Sequence, residues 1–179
     1  MVAGGCIQNQ PVKPSLSQTS TNNVEYTKSN ADGTLGTWSV TANLTAIINE
    51  PGTAAYNGYL YVGYGPTMNY AKPSSNGSIA LWVVTTASGA NYGNRFIAYA
   101  GYLYAMTEPN ATSTLYAPIF ANGEIGKWNR TTDITVVRQR GSVAIYNGYV
   151  YVVGGHDGTP TDQLSIERAK IDPAGALSL

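Results

Sequence analysis

Charged residues are scarce in this chain, and the two signs balance. The 179 residues include 10 Lys and Arg and 10 Asp and Glu, so charged side chains make up 11% of the sequence. An ordinary soluble protein has about 25%. Because the net charge is zero, nothing attracts a nucleic-acid backbone or an anionic bilayer electrostatically. The composition therefore predicts neither a nucleic-acid partner nor binding to a membrane surface.

Cysteine and long apolar runs are also nearly absent. With one cysteine, Cys6, no intramolecular disulfide can form, and the fold depends on packing alone. No apolar stretch approaches the roughly 18 residues that a membrane span needs. The sequence also shows no apolar segment of the kind that a signal peptide has. We therefore expect no membrane insertion.

Apolar and aromatic residues, by contrast, are plentiful, with 14 Tyr and 3 Trp in a sequence that is 43% hydrophobic. Such a chain buries enough apolar surface to offset the entropy lost on folding, which excludes intrinsic disorder. Low charge together with abundant Ser, Thr, Asn and Gly is more typical of an exported protein. We therefore expect an extracellular or cell-surface location.

Two short sequence patterns recur along the chain at a nearly fixed spacing. The first reads AYNGYLYV at 55–62, AYAGYLYA at 98–105 and IYNGYVYV at 145–152. The second reads ADGTLGTW at 31–38, SNGSIALW at 75–82 and ANGEIGKW at 121–128, with the degenerate copy DPAGALSL at 172–179. Successive copies are 44, 46 and 52 residues apart, counted between Gly33, Gly77, Gly123 and Gly175. A period of this size indicates one four-stranded unit per repeat.

Each repeat is expected to form four antiparallel strands, which we label a to d. Asn57-Gly58 and Asn147-Gly148 each lie between two apolar runs, which predicts a hairpin turn between strands a and b. The Tyr- and Val-rich run that follows is typical of a central strand buried on both faces. No segment has a helical period, so no helix is expected. Strand c is predicted at 24–28, 70–72, 115–118 and 166–170, each followed by the glycine-containing turn into strand d.

These repeats resemble those of the kelch-type β-propeller family, which carry a glycine pair after strand b and spaced Tyr and Trp residues later in the blade. Gly4-Gly5 and Gly154-Gly155 match the pair, whereas the middle copies have Tyr64-Gly65 and Thr107-Glu108. The resemblance covers the whole chain, and the repeats are similar to divergent repeats in microbial surface proteins. It implies an all-β propeller of four-stranded blades. The blades would span 1–41, as a remnant with strands b to d, then 42–85, 86–131 and 132–179.

The number of blades leaves open how the ring closes. Propellers typically have four to eight blades, and this chain supplies nearly four. It is expected to be part of a longer protein, a compact four-bladed ring, or one half of an eight-bladed ring made by two chains. An open arc leaves unpaired edge strands, so we expect self-association or additional blades at these edges.

The connections between strands b and c differ most among the repeats, which indicates the face where a ligand binds. They contain 19, 3, 6 and 11 residues, whereas the intervals from each Trp to the next hairpin Tyr are 18, 17 and 18 residues. In an up-and-down blade the b–c and d–a connections emerge on the same face, and loops on a rigid scaffold are where binding sites usually lie. The candidate ligand contacts on this face are Tyr64, Asn69, Tyr70, Arg138, Arg140, His156, Asp157 and Asp162.

The first candidates are suited to stacking against a sugar ring. Tyr64, Asn69 and Tyr70 lie close together in the sequence, beside Met68. The alternative is that they are ordinary surface residues, since exposed tyrosines are expected in so Tyr-rich a chain.

The remaining candidates carry charge. Arg138 and Arg140 are suited to clamping a carboxylate, or else to bonding backbone carbonyls. His156, Asp157 and Asp162 combine an imidazole with two carboxylates, a set suited to metal binding or acid–base chemistry. The alternative is again structural, because the Asp-Gly and Thr-Pro pairs in this segment are ordinary turn formers.

No sequence motif for catalysis occurs. The copper site known on kelch propellers needs several histidines and a Cys–Tyr cross-link, whereas this chain has one histidine, His156. The spacing around Asp32-Gly33 and Trp38 does not match the Asp box of sialidases, and GxSxG, HExxH and phosphate-loop motifs are missing. We therefore predict no enzymatic activity, no metal and no cofactor.

The function predicted from these observations is non-enzymatic recognition or adhesion through the b–c face, with a protein or a glycan as ligand. The alternative is a structural spacer or assembly unit of a larger surface protein or filament. A third hypothesis is a non-catalytic part of a glycan-active enzyme. The kelch resemblance does not decide among them, because one fold hosts many functions.

Overall fold

The structure is a computed structural model that describes residues 21–48, 51–64, 67–85, 95–106, 112–139, 141–157, 159 and 163–179. Among these residues every regular element is a β-strand, which confirms the prediction of an all-β fold without helices. The described ranges accordingly hold no helix that is long and apolar enough to cross a membrane. The sequence predictions that lie outside the described residues are those on Cys6, Gly4-Gly5, Gly65, Thr107-Glu108, Arg140 and Asp162.

Within the described ranges, fourteen strands form four antiparallel sheets, and strands adjacent in the chain are adjacent in the sheet. Sheet I contains β1 (Glu25–Tyr26) and β2 (Ser39–Val40). Sheet II contains β3 (Gly52–Tyr56), β4 (Tyr59–Tyr64), β5 (Thr67–Ala71) and β6 (Val83–Val84). Sheet III contains β7 (Arg95–Tyr99), β8 (Tyr102–Met106), β9 (Thr114–Pro118) and β10 (Asn129–Arg130). Sheet IV contains β11 (Ser142–Tyr146), β12 (Tyr149–Val153), β13 (Ile166–Ile171) and β14 (Leu177–Ser178).

The predicted hairpin turns are confirmed by their backbone angles. Asn57 and Gly58 have φ of 47° and 79°, and Asn147 and Gly148 have φ of 49° and 75°. Because Asn and Gly tolerate positive φ, the chain reverses within two residues and the first and second strands pair directly. The hairpin of sheet III reaches the same geometry with Ala100 at φ 49°, which the Cβ of alanine disfavours.

The glycine-containing turns between the third and fourth strands share one geometry in all four repeats. Gly33, Gly77, Gly123 and Gly175 have φ between 83° and 90°, a region that residues with a Cβ rarely adopt. Each glycine amide donates to the carbonyl three residues earlier at 2.9–3.0 Å. The degenerate fourth copy therefore forms the same turn as the three complete ones.

One predicted strand begins earlier than expected. The sequence predicts the third strand of sheet II at 70–72, but β5 runs from Thr67 to Ala71. Tyr64 pairs directly with Thr67, so two residues are enough to connect β4 to β5. Asn69 is the reason that the predicted strand begins at Tyr70, since Asn is generally depleted in strands.

The core lies between the sheets rather than within any one of them. Adjacent sheets face each other across apolar clusters, and β7 contacts both β3 and β11, so the first strands lie side by side. Between sheets I and II the buried cluster is Leu44, Ala71, Ile79 and Trp82. Between sheets II and III it is Tyr61, Met68, Phe96, Leu103, Ala105, Ala117, Ile125 and Trp128. Between sheets III and IV it is Tyr104, Met106, Val150, Val152 and Leu177.

Candidate functional site

An open depression lies at the end of the sheets where their first strands begin. It has a volume of about 280 Å³, and its lining includes Thr53, Arg95, Gly141 and Ser142. These residues lie at the starts of β3, β7 and β11, which contact one another. Each start pairs with the end of the second strand, as Ser142 does with Val153. The depression therefore opens on the face predicted to carry the b–c connections.

Arg95 fixes one wall of this depression. Its side chain is buried at the start of β7 and reaches into the segment that leads to sheet IV. Its Nη1 donates to the carbonyl of Arg138 at 2.7 Å, and its Nε donates to the carbonyl of Gly141. The guanidinium therefore ties sheet III to sheet IV. Thr53 and Ser142, also in the lining, are exposed.

Arg138 and Glu167 form a buried ion pair next to this wall. The side chain of Arg138 is fully buried, that of Glu167 is 14% exposed, and Nε lies 3.1 Å from Oε1. Nη1 of Arg138 donates to the carbonyls of Gly154 and Ser165, and Nη2 donates to Ser165 Oγ at 2.7 Å. Gly154 and Ser165 are the first and last residues of the connection between β12 and β13. The guanidinium therefore closes the base of that connection.

Glu167 also accepts hydrogen bonds from the segment that enters sheet IV. Thr135 Oγ1 donates to Oε2 at 2.7 Å, and the amides of Thr135 and Val136 donate at 2.5 Å and 3.2 Å. Burial alone would raise the pKa of this carboxyl, but these bonds and the one from Arg138 outweigh burial and lower the pKa. The carboxylate is therefore held ionised as the counter-charge of Arg138.

The residues predicted to stack on a sugar ring lie in different settings. Met68 and Asn69 are fully buried, and Asn69 Oδ1 accepts a hydrogen bond from Thr45 Oγ1 at 2.6 Å. Tyr70 packs against the cluster between sheets II and III. Tyr64, at the end of β4, is the exposed member of this set. The ligand role of these residues stays a prediction.

His156 and Asp157 lie on the connection that Arg138 closes. His156 pairs with Gln139 through two backbone hydrogen bonds of 2.7 Å and 3.0 Å. Asp157 is exposed, and hydrogen bonds from the hydroxyl and the amide of Thr159 lower the pKa of its carboxyl. This bonding is typical of a local turn. Among the described residues, no group of three or more His, Cys, Asp or Glu side chains is placed to hold a metal ion.

Three residues that organise this end of the sheets, Arg95, Thr135 and Glu167, are missing from the candidate ligand contacts that the sequence predicts. Thr135 lies 90 residues after Thr45, and both threonines donate to the third strand of the next sheet. The repeat spacing alone therefore indicates that Thr135 and Glu167 occupy the positions that Thr45 and Asn69 have in sheet II. No sequence pattern indicates the role of Arg95, because its side chain bonds to a segment that leads to a different sheet.

No protein-family model matches the chain, and no curated protein matches it.

Proposed function

We propose that this chain is part of a kelch-type β-propeller that recognises a ligand without catalysis, at the cell surface or outside the cell. The observation that carries the proposal is the open depression where β3, β7 and β11 begin. It lies on the face that bears the connections of most variable length, and variable loops on a rigid scaffold are where binding sites usually lie. Repeated antiparallel four-stranded sheets, with apolar clusters between them, support the propeller architecture.

The lining of the depression favours a neutral polar ligand, and we propose a glycan as the first candidate. Thr53 and Ser142 have exposed hydroxyls that can both donate and accept hydrogen bonds. The Arg95 guanidinium donates to two backbone carbonyls, so its Nε and Nη1 are already engaged within the protein. Hydroxyls in the lining of a depression suit the hydroxyl groups of a sugar.

A glycan array probed with the purified chain tests this proposal, followed by calorimetric titration of the best ligand. Ser142→Ala removes one lining hydroxyl and is expected to raise the Kd about fivefold to tenfold, since a neutral hydrogen bond contributes about 1 kcal/mol. Ser178→Ala is the matched control, because Ser178 is exposed at the opposite end of sheet IV. It should leave the Kd unchanged.

Two results would overturn the proposal. One is a chain that binds no glycan and no protein ligand, which would favour the structural-spacer alternative. The other is a glycan whose Kd is the same for the wild type and Ser142→Ala, which would place the binding site away from the depression.

A further inference from the structure

Sheet IV leaves one of its faces open. Side chains alternate along β12, so Val150 and Val152 are buried against sheet III, whereas Tyr149 and Tyr151 lie on the outer face. Arg168 lies on the same outer face, because it pairs with Tyr151. The exposed large hydrophobic residues on this face are Tyr146, Val153 and Ile166. An exposed face of this composition indicates an interaction site.

The equivalent faces of sheets II and III show what covers such a surface. Tyr149 begins the second strand of its sheet, as Tyr59 and Tyr102 do in sheets II and III. The rings of Tyr59 and Tyr102 lie against Gly123 and Gly175, the turn glycines of the next sheet. A Cβ on Gly175 would come within 2.6 Å of the Tyr102 ring, so this close packing depends on glycine. Each of these faces is covered by the sheet that follows.

A second tyrosine, two residues further along the strand, extends the same contact. Tyr61 in sheet II is fully buried, and its hydroxyl donates to the carbonyl of Gly123 at 3.0 Å. Burial is the main cause that raises the pKa of Tyr61 to about 12. Tyr104 has this position in sheet III and is also fully buried. Tyr151 has it in sheet IV but is only partly buried.

Sheet I has the opposite half of this contact, and no sheet among the described residues packs on that half. An added Cβ on Gly33 would meet no atom within 4 Å. Leu35 and Trp38 are 59% and 57% exposed. Their counterparts in the later repeats are between 4% and 8% exposed, namely Ile79, Ile125 and Leu177 for the leucine and Trp82 and Trp128 for the tryptophan. The face of sheet I thus carries the residues that pack on a tyrosine face elsewhere.

The two open faces also carry opposite charges. Arg168 and Lys170 are exposed on sheet IV, and Asp32 is exposed in the turn of sheet I. In the packed pair of sheets II and III, the equivalent turn carries Glu124, two residues after the counterpart of Asp32, and its charge acts on Tyr70, the counterpart of Arg168. Burial first, and the Glu124 charge second, raise the pKa of that tyrosine. Packing sheet I on sheet IV would therefore bring an acidic turn near two basic side chains.

We propose that the outer face of sheet IV in one copy of this chain docks on the open face of sheet I in a second copy. The contact repeats between molecules the packing that joins sheets II, III and IV within one. Tyr149 lies against Gly33, Tyr151 becomes buried as Tyr61 and Tyr104 are, and Arg168 approaches Asp32. Because the two faces differ, the association is head-to-tail and either closes into a ring or extends into a filament.

Sedimentation velocity over a wide range of concentration tests the proposal. We expect species heavier than the 18.9 kDa monomer. Tyr149→Asp blocks the face of sheet IV, and Trp38→Asp blocks that of sheet I. Each variant alone should be monomeric, because a carboxylate buried without a partner raises the Kd by at least about a hundredfold. An equimolar mixture keeps one intact face of each kind and should give a dimer that does not grow further.

Two controls distinguish loss of the interface from a general effect of the substitutions. Leu164→Asp introduces the same charge at a 95% exposed site on the connection between β12 and β13, and it should assemble like the wild type. Circular dichroism and thermal unfolding establish that each variant is folded. If Tyr149→Asp fails to fold, Arg168→Glu replaces it on sheet IV, and if Trp38→Asp fails to fold, Asp32→Lys replaces it on sheet I. An exposed charge reversal of either kind should weaken assembly at least about tenfold while the sheet stays intact.

Three outcomes would overturn the proposal. The first is a wild type that is monomeric at every concentration. The second is a mixture of folded variants that stays monomeric. The third is loss of assembly in Tyr149→Asp but not in Trp38→Asp, which would mean that sheet IV pairs with itself. Ligand binding at the depression is measured separately by titration, so its success or failure is independent of these results.

Discussion

Sheets II and IV differ at the connection between their second and third strands. The two residues 65–66 join β4 to β5, whereas the twelve residues 154–165 join β12 to β13. Arg138 donates to both ends of the longer connection, at Gly154 and Ser165. The residue 90 positions earlier, in the segment that enters sheet II, is Ile48. The longer connection thus coincides with a buried cation that closes its base.

The residue that faces the incoming segment differs in the same way. Asn69 in β5 accepts a hydrogen bond from Thr45, and Glu167 in β13 accepts one from Thr135. One position of the repeat is therefore neutral in sheet II and ionic in sheet IV. The ionic version requires Arg138 as well, because a buried charge without its partner is strongly destabilising. The same scaffold thus holds a short connection with a neutral pair and a long one with an ion pair.

Among the substitutions that test this difference between sheets II and IV, removal of the buried Arg138 cation should lower the unfolding free energy most. Arg138→Ala leaves the Glu167 carboxylate without its counter-charge, so we expect the free energy of unfolding to fall by about 3–5 kcal/mol. Arg130→Ala, which breaks the exposed ion pair with Asp133, is the matched control and should cost far less, because solvent screens an exposed pair. Urea unfolding at neutral pH measures both losses. Equal losses would show that Arg138 does not clamp the connection.

Asn69→Asp should have the next largest effect, because it places a carboxylate in sheet II without an arginine. Asn69 is fully buried, so burial should raise the pKa of the introduced carboxyl and lower the unfolding free energy at neutral pH by about 2–4 kcal/mol. The penalty is absent below the unfolded pKa and grows as the pH rises toward the raised folded value. Denaturant unfolding at acidic and neutral pH measures this trend. A penalty independent of pH would contradict it.

Part of this comparison can be predicted from the sequence, because it is built on a repeat. The Asn-Gly hairpins and the glycine turns depend on local backbone preferences, so they can be identified without knowing how the sheets pack. Strand alternation also places Glu167 on the face opposite Arg168. The contact between Arg138 and Glu167 cannot be predicted in this way. The segment from β10 to β11 has no regular period that would place the arginine side chain.

The candidate site is harder to predict than the sheets. Its lining comes from the starts of three strands that are far apart in the sequence and meet when the sheets stack. Asn69 and Tyr70 follow a short connection, so the sequence predicts them to be exposed ligand contacts. Neighbouring segments contribute to the burial of both side chains. Thr45 donates a hydrogen bond to Asn69, and Tyr70 packs against the cluster between sheets II and III. Such burial depends on contacts between residues far apart in the sequence, which the periodicity of the sequence does not predict.

Acid should weaken sheet IV through Glu167. Because its pKa is lowered in the folded protein, this carboxylate contributes stability that is present above the unfolded pKa of about 4.3 and is lost as the pH falls through the lowered folded value. Glu167→Gln should cost about 2–3 kcal/mol at neutral pH, because it leaves the buried Arg138 cation without its counter-charge while the Gln carbonyl still accepts hydrogen bonds. Its unfolding free energy should also fall less steeply in acid than that of the wild type. Parallel pH profiles from denaturant unfolding would contradict this role.

The smallest expected difference lies between the two equivalent threonines. Thr135→Val removes the hydroxyl that donates to Glu167, and Thr45→Val removes the one that donates to Asn69. Valine keeps the β-branched shape, so each variant reports mainly on its hydrogen bond. Because a bond to a carboxylate is about twice as strong as a neutral one, Thr135→Val should cost about 1.5 kcal/mol and Thr45→Val about 0.7 kcal/mol in urea unfolding. Protonation of Glu167 removes the charge, so the two losses should converge in acid. If they stay unequal there, the difference arises from packing around the threonines and not from the ion pair of sheet IV.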